Sequence, residues 1–147
     1  SISWSTLVLV AGLLPVGLAL EKTGGMEFIA QALLSSVDGV GPYGALSVVF
    51  FVTAGLSMFL SNTATAVLVA PLAVRMAIDL GHSPQAFAVM VVMGASAAFV
   101  TPISTPVVSL VVAPGNYRFA DFVKVGAPLL VVVWAVSLAL TPLVFPL

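Results

Sequence analysis

The sequence predicts an all-α integral membrane protein that contains a re-entrant helical hairpin and a discontinuous transmembrane helix. Three observations support this fold class. First, 61% of the 147 residues are hydrophobic and 6% are charged, whereas a soluble domain has about 25% charged residues. Second, a cluster of hydroxyl and amide side chains at residues 57–65 lies within an uncharged stretch, residues 39–74. Third, Pro102 and Pro106 interrupt the apolar segment 85–113.

The first predicted helix covers residues 4–20, which is the short end of the length that spans a bilayer. Residues 21–25 contain two charges and two glycines, which end the helix at headgroup level. Residues 26–36 are amphipathic and too few to span, so we expect an interfacial helix there. Because the chain begins directly before an apolar helix, we expect it to continue a longer protein.

The hairpin is predicted at residues 43–80, with two apolar helices joined by a tip at residues 61–63. A hairpin that reached the far surface would be expected to turn on lysine, aspartate or several glycines. Instead the tip is Ser-Asn-Thr, and Ser57 extends the polar face back by one helical turn. We therefore expect the tip to lie inside the membrane.

The broken helix is predicted at residues 85–113, with its interruption in the Thr-Pro-Ile-Ser-Thr-Pro run 101–106. Aromatic and charged residues then form an interfacial segment, 116–124, and residues 126–146 form the last span. Taken alone, the proline run is also compatible with a simple packing kink.

Composition and charge exclude several classes of function. The net charge is −1 with four basic residues, which argues against nucleic acid as a partner. The absence of cysteine excludes disulfides and iron–sulfur sites. The single histidine, His82, lies outside the predicted spans, so the small-residue run around Ser96 is not interpreted as a membrane serine protease site. We expect no enzyme activity and no cofactor.

A polar hairpin tip beside a broken helix is the arrangement with which secondary transporters bind ions and substrates. Backbone N–H groups of residues 63–66, at the positive end of a helix, suit an anion. Carbonyl groups before the two breaks, together with serine and asparagine oxygens, suit a small hard cation, and sodium fits because no carboxylate lies nearby. A proton-coupled carrier that relies on a buried carboxylate is disfavoured for this half, because the predicted membrane interior contains no aspartate, glutamate, lysine or histidine. The other half of a longer protein could supply one.

The runs SNTATAVLVAPLA, TPISTP and PGNYRFADFVKVGAPL resemble the second repeat of the divalent anion:sodium symporter family, within the ion transporter superfamily that includes citrate carriers. The resemblance covers roughly residues 45–130. It implies one half of an inverted-repeat transporter, which forms a homodimer in the cell membrane and moves its substrate by an elevator mechanism. This chain would be the C-terminal half, with the N-terminal repeat missing.

The resemblance also implies roles for particular residues. Sodium would be bound by the side chains of Ser57, Ser61 and Asn62 and by the backbone oxygen of Ser104. The anion, a dicarboxylate or sulfate, would contact four residues, two on each side of the site: Asn62, Thr63, Thr105 and Pro106. One departure leaves the substrate and the sodium dependence open, because Val108 stands where relatives often have asparagine.

Other interpretations remain open at this point. The chain is also compatible with another carrier of the superfamily, such as a proton or sodium antiporter or an arsenite carrier. It is further compatible with a membrane subunit that transports nothing, in which residues 61–63 would simply cap a helix. Counting basic residues does not orient the chain in the membrane, because each predicted side of the membrane has two of them. The resemblance implies that the Arg118 side lies in the cytoplasm.

Overall fold

The computed structural model describes residues 39–101 and 117–146, together with residues 15, 19, 22–25, 28, 32 and 115. The two long ranges contain four helices and no strand. The helices are α1 (Pro42–Ser57), α2 (Asn62–Asp79), α3 (Pro84–Ser96) and α4 (Phe119–Val144). The predicted helix 4–20, the interfacial helix 26–36 and residues 102–113 of the broken helix lie almost wholly outside the described residues.

Local sequence explains where the first three helices begin. Pro42 and Pro84 are the first residues of α1 and α3, a position at which proline has no intrahelical hydrogen bond to lose. Ser61 caps α2, since its Oγ accepts a hydrogen bond of 3.2 Å from the N–H of Ala64. Gly81, at φ 73°, provides the left-handed turn between α2 and α3.

Helix α3 is the centre of the packing. Both α1 and α2 pack mainly against α3 and much less against each other, and α4 packs against α3 and α1. The core consists of fully buried apolar side chains such as Phe50, Val69, Phe87 and Met90. The arms of the predicted hairpin are therefore held together chiefly through α3.

Gly94 permits the close approach of α3 to α1. A Cβ atom at this position would lie 2.7 Å from the carbonyl oxygen of Phe50 and 3.0 Å from Cβ of Thr53. Both distances are shorter than ordinary van der Waals contact. A residue without a side chain is needed here because the backbone of α1 occupies the space.

The hairpin turn lies earlier in the chain than predicted. Helix α1 ends at Ser57 instead of residue 60, and α2 begins at Asn62 instead of residue 64. The predicted tip at residues 61–63 is therefore wrong in detail: residues 58–61 form the turn, and Asn62 and Thr63 belong to the first turn of α2. The cause is the cap, because Ser61 adopts an extended conformation that starts the helix at the next residue.

Two further boundaries differ from the prediction. Helix α3 ends at Ser96, five residues before the predicted interruption at residue 101, and Ala97 already has a non-helical ψ of 22°. The predicted interfacial segment 116–124 and last span 126–146 are one helix from residue 119 onwards, α4. It begins early because the Asp121 carboxylate accepts a hydrogen bond of 2.8 Å from the N–H of Arg118, which stabilises the first turn.

Helix lengths divide the described elements into two groups. Helix α4 has 26 residues and is about 39 Å long, whereas α1 with 16 residues is about 24 Å, α2 with 18 residues is about 27 Å and α3 with 13 residues is about 20 Å. The hydrocarbon core of a bilayer is about 30 Å thick. Within the described ranges, α4 is the one helix that is long and apolar enough to cross it.

Candidate ion and substrate site

Three helix ends meet at the side chain of Ser57. Ser57 is the last residue of α1, Asn62 is the first residue of α2, and Ala95 is the last but one residue of α3. The Ser57 Oγ lies 2.8 Å from Oδ1 of Asn62 and 2.6 Å from the carbonyl oxygen of Ala95. Ser57 is completely buried, and its contact with Asn62 is partly buried. Asn62 is five residues from Ser57 in the sequence, whereas Ala95 is 38 residues away.

Proton counting shows that this cluster of three oxygens is rich in acceptors. The Ser57 hydroxyl has one proton, which it can donate to Asn62 or to Ala95 but not to both at once. One pair of oxygens therefore faces each other without a proton between them, and their lone pairs repel. A cation between the oxygens removes this repulsion. Rotation of the Asn62 amide, which brings its NH₂ group to face Ser57, also removes it. The cluster is thus suited to a cation and is also stable as a purely structural hydrogen-bond network.

The helix dipoles give the site two electrostatic sides. The C-terminal ends of α1 and α3 present carbonyl oxygens and carry partial negative charge, which favours a cation. The N-terminal end of α2 carries partial positive charge. There the N–H groups of Asn62 and Thr63 have no acceptor within the helix, and Thr63 is exposed. An anion is therefore favoured beside the cation.

Ser61 makes a different contact from the one predicted for it. Its hydroxyl caps α2 through Ala64, and its carbonyl oxygen accepts hydrogen bonds of 3.0 Å from both the N–H and the hydroxyl of Thr65. The cap uses one lone pair of the Ser61 hydroxyl and leaves a second one for another partner. The structure thus shows Ser61 as a helix cap, and its role as a sodium ligand stays a prediction.

The remaining predicted site residues, Ser104, Thr105 and Pro106, lie outside the described residues. The structure adds Ala95, whose carbonyl the sequence did not single out. The sequence predicts that carbonyl groups before a helix break bind the cation. It predicts the break at residue 101, whereas α3 ends at Ser96, so the Ala95 carbonyl was not singled out.

The cluster itself contains no ionisable group, since it consists of a hydroxyl, an amide and a carbonyl. Among the described residues there is also no group of three histidine, cysteine or acidic side chains that would bind a metal. Uncharged oxygen ligands suit a monovalent ion better than a divalent one, which prefers carboxylates.

Comparison with known proteins identifies the family. The family model described as "Citrate transporter" matches residues 1–94 and 45–147, so its two matches together cover the whole chain. The chain belongs to the citrate transporter family. This confirms the resemblance to the ion transporter superfamily, and the family is one of transporters, not of enzymes.

Several relatives of this chain are named as transporters. An uncharacterized transporter of Escherichia coli, YfbS, is 47% identical over 99% of the chain. Another uncharacterized transporter, sll0640 of Synechocystis, is 37% identical over 99% of the chain. The sodium/sulfate cotransporter 1 of Chlamydomonas reinhardtii is 36% identical over 87% of the chain. The chain covers 24%, 24% and 15% of these relatives, so it spans a quarter of their length or less.

Proposed function

We propose that this chain forms the part of a sodium-coupled symporter for small divalent anions that holds one sodium ion and one side of the anion site. The observation that carries the proposal is the meeting of three oxygens at the ends of three helices, at Ser57, Asn62 and Ala95. The names of relatives support sodium as the coupling ion and sulfate as the anion, with a dicarboxylate as the alternative.

Sodium would bind between Oγ of Ser57, Oδ1 of Asn62 and the carbonyl oxygen of Ala95. These oxygens are at hydrogen-bond distances of 2.6 and 2.8 Å, so the ion would spread them slightly, and the Ser57 hydroxyl would keep its proton and turn it away from the ion. Further ligands would come from Ser61 and from the backbone of Ser104. Binding would tie the hairpin turn to α3, because two of the oxygens belong to α1 and α2 and the third to α3.

The anion would lie at the N-terminal end of α2. Its oxygens would accept hydrogen bonds from the free N–H groups of Asn62 and Thr63, and the helix dipole would add a favourable term of roughly 0.3–1 kcal/mol. Thr105 and Pro106 would contact the anion from the opposite side. The sodium ion bound to the Asn62 side chain would lie beside the anion and further offset its negative charge. The binding of sodium and the binding of the anion would therefore be coupled.

A re-entrant hairpin is part of the proposal and is supported by helix length. Helix α1, at about 24 Å, falls short of the hydrocarbon thickness of about 30 Å, so a turn at residues 58–61 would end within the membrane. The rest of the proposed architecture lies beyond this chain: an N-terminal inverted repeat, a homodimer in the cell membrane and elevator movement of the substrate.

Uptake of radiolabelled sulfate by the full-length protein in proteoliposomes tests the proposal. We expect uptake that requires an inward sodium gradient and that falls by at least tenfold in Asn62→Ala. The control is Gln85→Ala, which removes an exposed side-chain amide at the start of α3 and should leave uptake unchanged.

Two results would contradict the proposal and favour the alternatives. Uptake unaffected by replacing sodium with choline, or accompanied by proton countertransport, would identify another type of carrier. An Asn62→Ala variant with wild-type sodium dependence would show that the hydrogen bonds at Ser57 serve only to join the helix ends.

A further inference from the structure

The segment that follows α3, residues 97–100, continues the element that supplies the third oxygen of the cluster. The chain leaves the helix at Ala97, and the N–H of Phe99 donates to the Ala97 carbonyl oxygen over 2.8 Å, which makes a tight turn. Ala95, whose carbonyl oxygen accepts the 2.6 Å hydrogen bond from Ser57, lies two residues before Ala97. The last turn of a helix frays unless other contacts hold it. The position of the Ala95 carbonyl therefore depends on what holds residues 97–100.

Gly126, near the start of α4, lies directly against the backbone of this turn. A Cβ atom at Gly126 would collide with the carbonyl oxygen of Phe99 and would lie 2.7 Å from its carbonyl carbon. The same atom would lie 2.9 Å from Cα of Val100. All three atoms belong to the backbone, so no side chain can rotate to make room. Helix α4 therefore limits where residues 97–100 can lie.

Helix α4 is well placed to hold the turn, because it is attached to α3 at a second level. The Thr141 hydroxyl donates to the sulfur of Met90 over 3.6 Å, in the buried interior and about 22 Å along α4 from Gly126. Gly126 itself is buried within the helix, although glycine is the poorest helix former after proline. Close packing against the turn, and not helix stability, explains a glycine at this position.

We propose that Gly126 is a positioning residue for the proposed sodium site. By letting α4 hold residues 97–100, it keeps the Ala95 carbonyl beside Ser57. This role rests on the proposed function, in which sodium binds next to that carbonyl. Ordinary contact begins at 3.4 Å, so a Cβ atom at Gly126 would push the Phe99 carbonyl carbon away by about 0.7 Å. Ligands in a binding site need to be placed within about 0.5 Å. A shift of this size, passed along the turn to Ala95, would weaken sodium binding.

Sulfate uptake by the full-length protein in proteoliposomes, measured against sodium concentration, tests this role. We expect Gly126→Ala to raise the sodium concentration for half-maximal uptake about threefold or more, at an unchanged maximal rate. A variant that merely folds less well would instead lower the maximal rate at an unchanged half-maximal concentration. The control is Thr141→Val, which removes the contact with Met90 in the middle of α3, away from the turn. It should keep the wild-type half-maximal concentration.

Amide hydrogen exchange of the purified full-length protein tests the positioning without transport. In Gly126→Ala we expect faster exchange at residues 97–100 and also at the hairpin turn, residues 58–61. The second effect follows because the hydrogen bond from Ser57 joins the hairpin turn to α3, so a shift at the end of α3 loosens both. Thr141→Val should show wild-type exchange at both turns.

Wild-type sodium dependence and wild-type exchange at residues 58–61 in Gly126→Ala would overturn the proposal and show that α4 moves instead of the turn. Phe99→Ala loosens the turn from the core without adding an atom, so it should raise the half-maximal sodium concentration even if Gly126→Ala folds poorly. An unchanged value in Phe99→Ala would also overturn the proposal. If uptake by the wild type does not depend on sodium, the proposed function fails. The positioning role is then decided by the exchange at residues 58–61 alone.

Discussion

Replacing Gly94 by alanine would force α1 and α3 apart next to the cluster of three oxygens. The new Cβ atom would lie 2.7 Å from the carbonyl oxygen of Phe50, whereas ordinary contact begins at 3.4 Å, a shortfall of about 0.7 Å. Ala95, the next residue, accepts the 2.6 Å hydrogen bond from Ser57. A separation of that size would lengthen this bond to about 3.3 Å, beyond the usual range for hydroxyl donors.

The expected cost of Gly94→Ala is about 1–3 kcal/mol in the free energy of unfolding, as for other overpacked cores. The matched control is Gly55→Ala on α1, where an added Cβ atom has no neighbour within 4 Å. That change should raise stability by about 0.5–1 kcal/mol, because alanine is the better helix former.

Unfolding of the purified full-length protein, followed in sodium chloride and in choline chloride, measures both effects. We expect sodium to stabilise Gly55→Ala as it does the wild type and to stabilise Gly94→Ala less. The reasoning would be refuted if Gly94→Ala were as stable as Gly55→Ala and responded equally to sodium.

Three further predictions concern other parts of the chain. Ser61→Ala should lower the free energy of unfolding by about 1 kcal/mol, and Ser61→Asp should restore it, because aspartate caps helices as well as serine does. Gly126→Ala should destabilise by at least 1 kcal/mol, since its Cβ atom would meet the backbone of Phe99. The sodium concentration for half-maximal sulfate uptake should be equal at about pH 6 and about pH 8, because the cluster at Ser57 contains no group that ionises there.

The first of these has a control variant, and the other two have outcomes that would contradict them. Ser83→Ala is the control for Ser61→Ala, because Ser83 precedes α3 but its hydroxyl makes no cap hydrogen bond. Comparing the unfolding midpoints of the two variants separates the effect of losing the cap from the effect of losing any serine hydroxyl. A stable Gly126→Ala would show that α4 does not press on the segment after α3. A marked rise of the half-maximal sodium concentration at acid pH would indicate a carboxylate or histidine at the sodium site.

Most of the helical architecture follows from hydrophobicity and from a few local signals. Pro42 and Pro84 mark helix starts, and Gly81 marks a turn, so the order of the described helices is readable from the sequence. The exact helix boundaries cannot be read from the sequence, because neighbouring residues compete for the same capping position. Ser61, Asn62 and Thr63 are all reasonable caps, and only the structure shows that Ser61 is the one used.

The candidate site was predictable in part for a similar reason. Ser57 and Asn62 are polar residues in an uncharged apolar stretch, and such residues need a partner, which makes them visible in the sequence. The third oxygen belongs to the backbone of Ala95, and every residue has a carbonyl group, so no side chain marks it. Its role depends on α3 ending at Ser96 and on Gly94 letting α1 approach, which are consequences of packing.

The most direct test of sodium binding at the meeting of the three helix ends is the sodium concentration that gives half-maximal sulfate uptake in Ser57→Ala and in Ser47→Ala. Both changes remove one hydroxyl from α1, but the Ser47 hydroxyl donates only to the carbonyl oxygen of Tyr43, within its own helix. Loss of a ligand worth about 1–3 kcal/mol should raise the half-maximal concentration about fivefold or more in Ser57→Ala. Ser47→Ala should match the wild type, and equal values for the two variants would contradict a sodium site at Ser57.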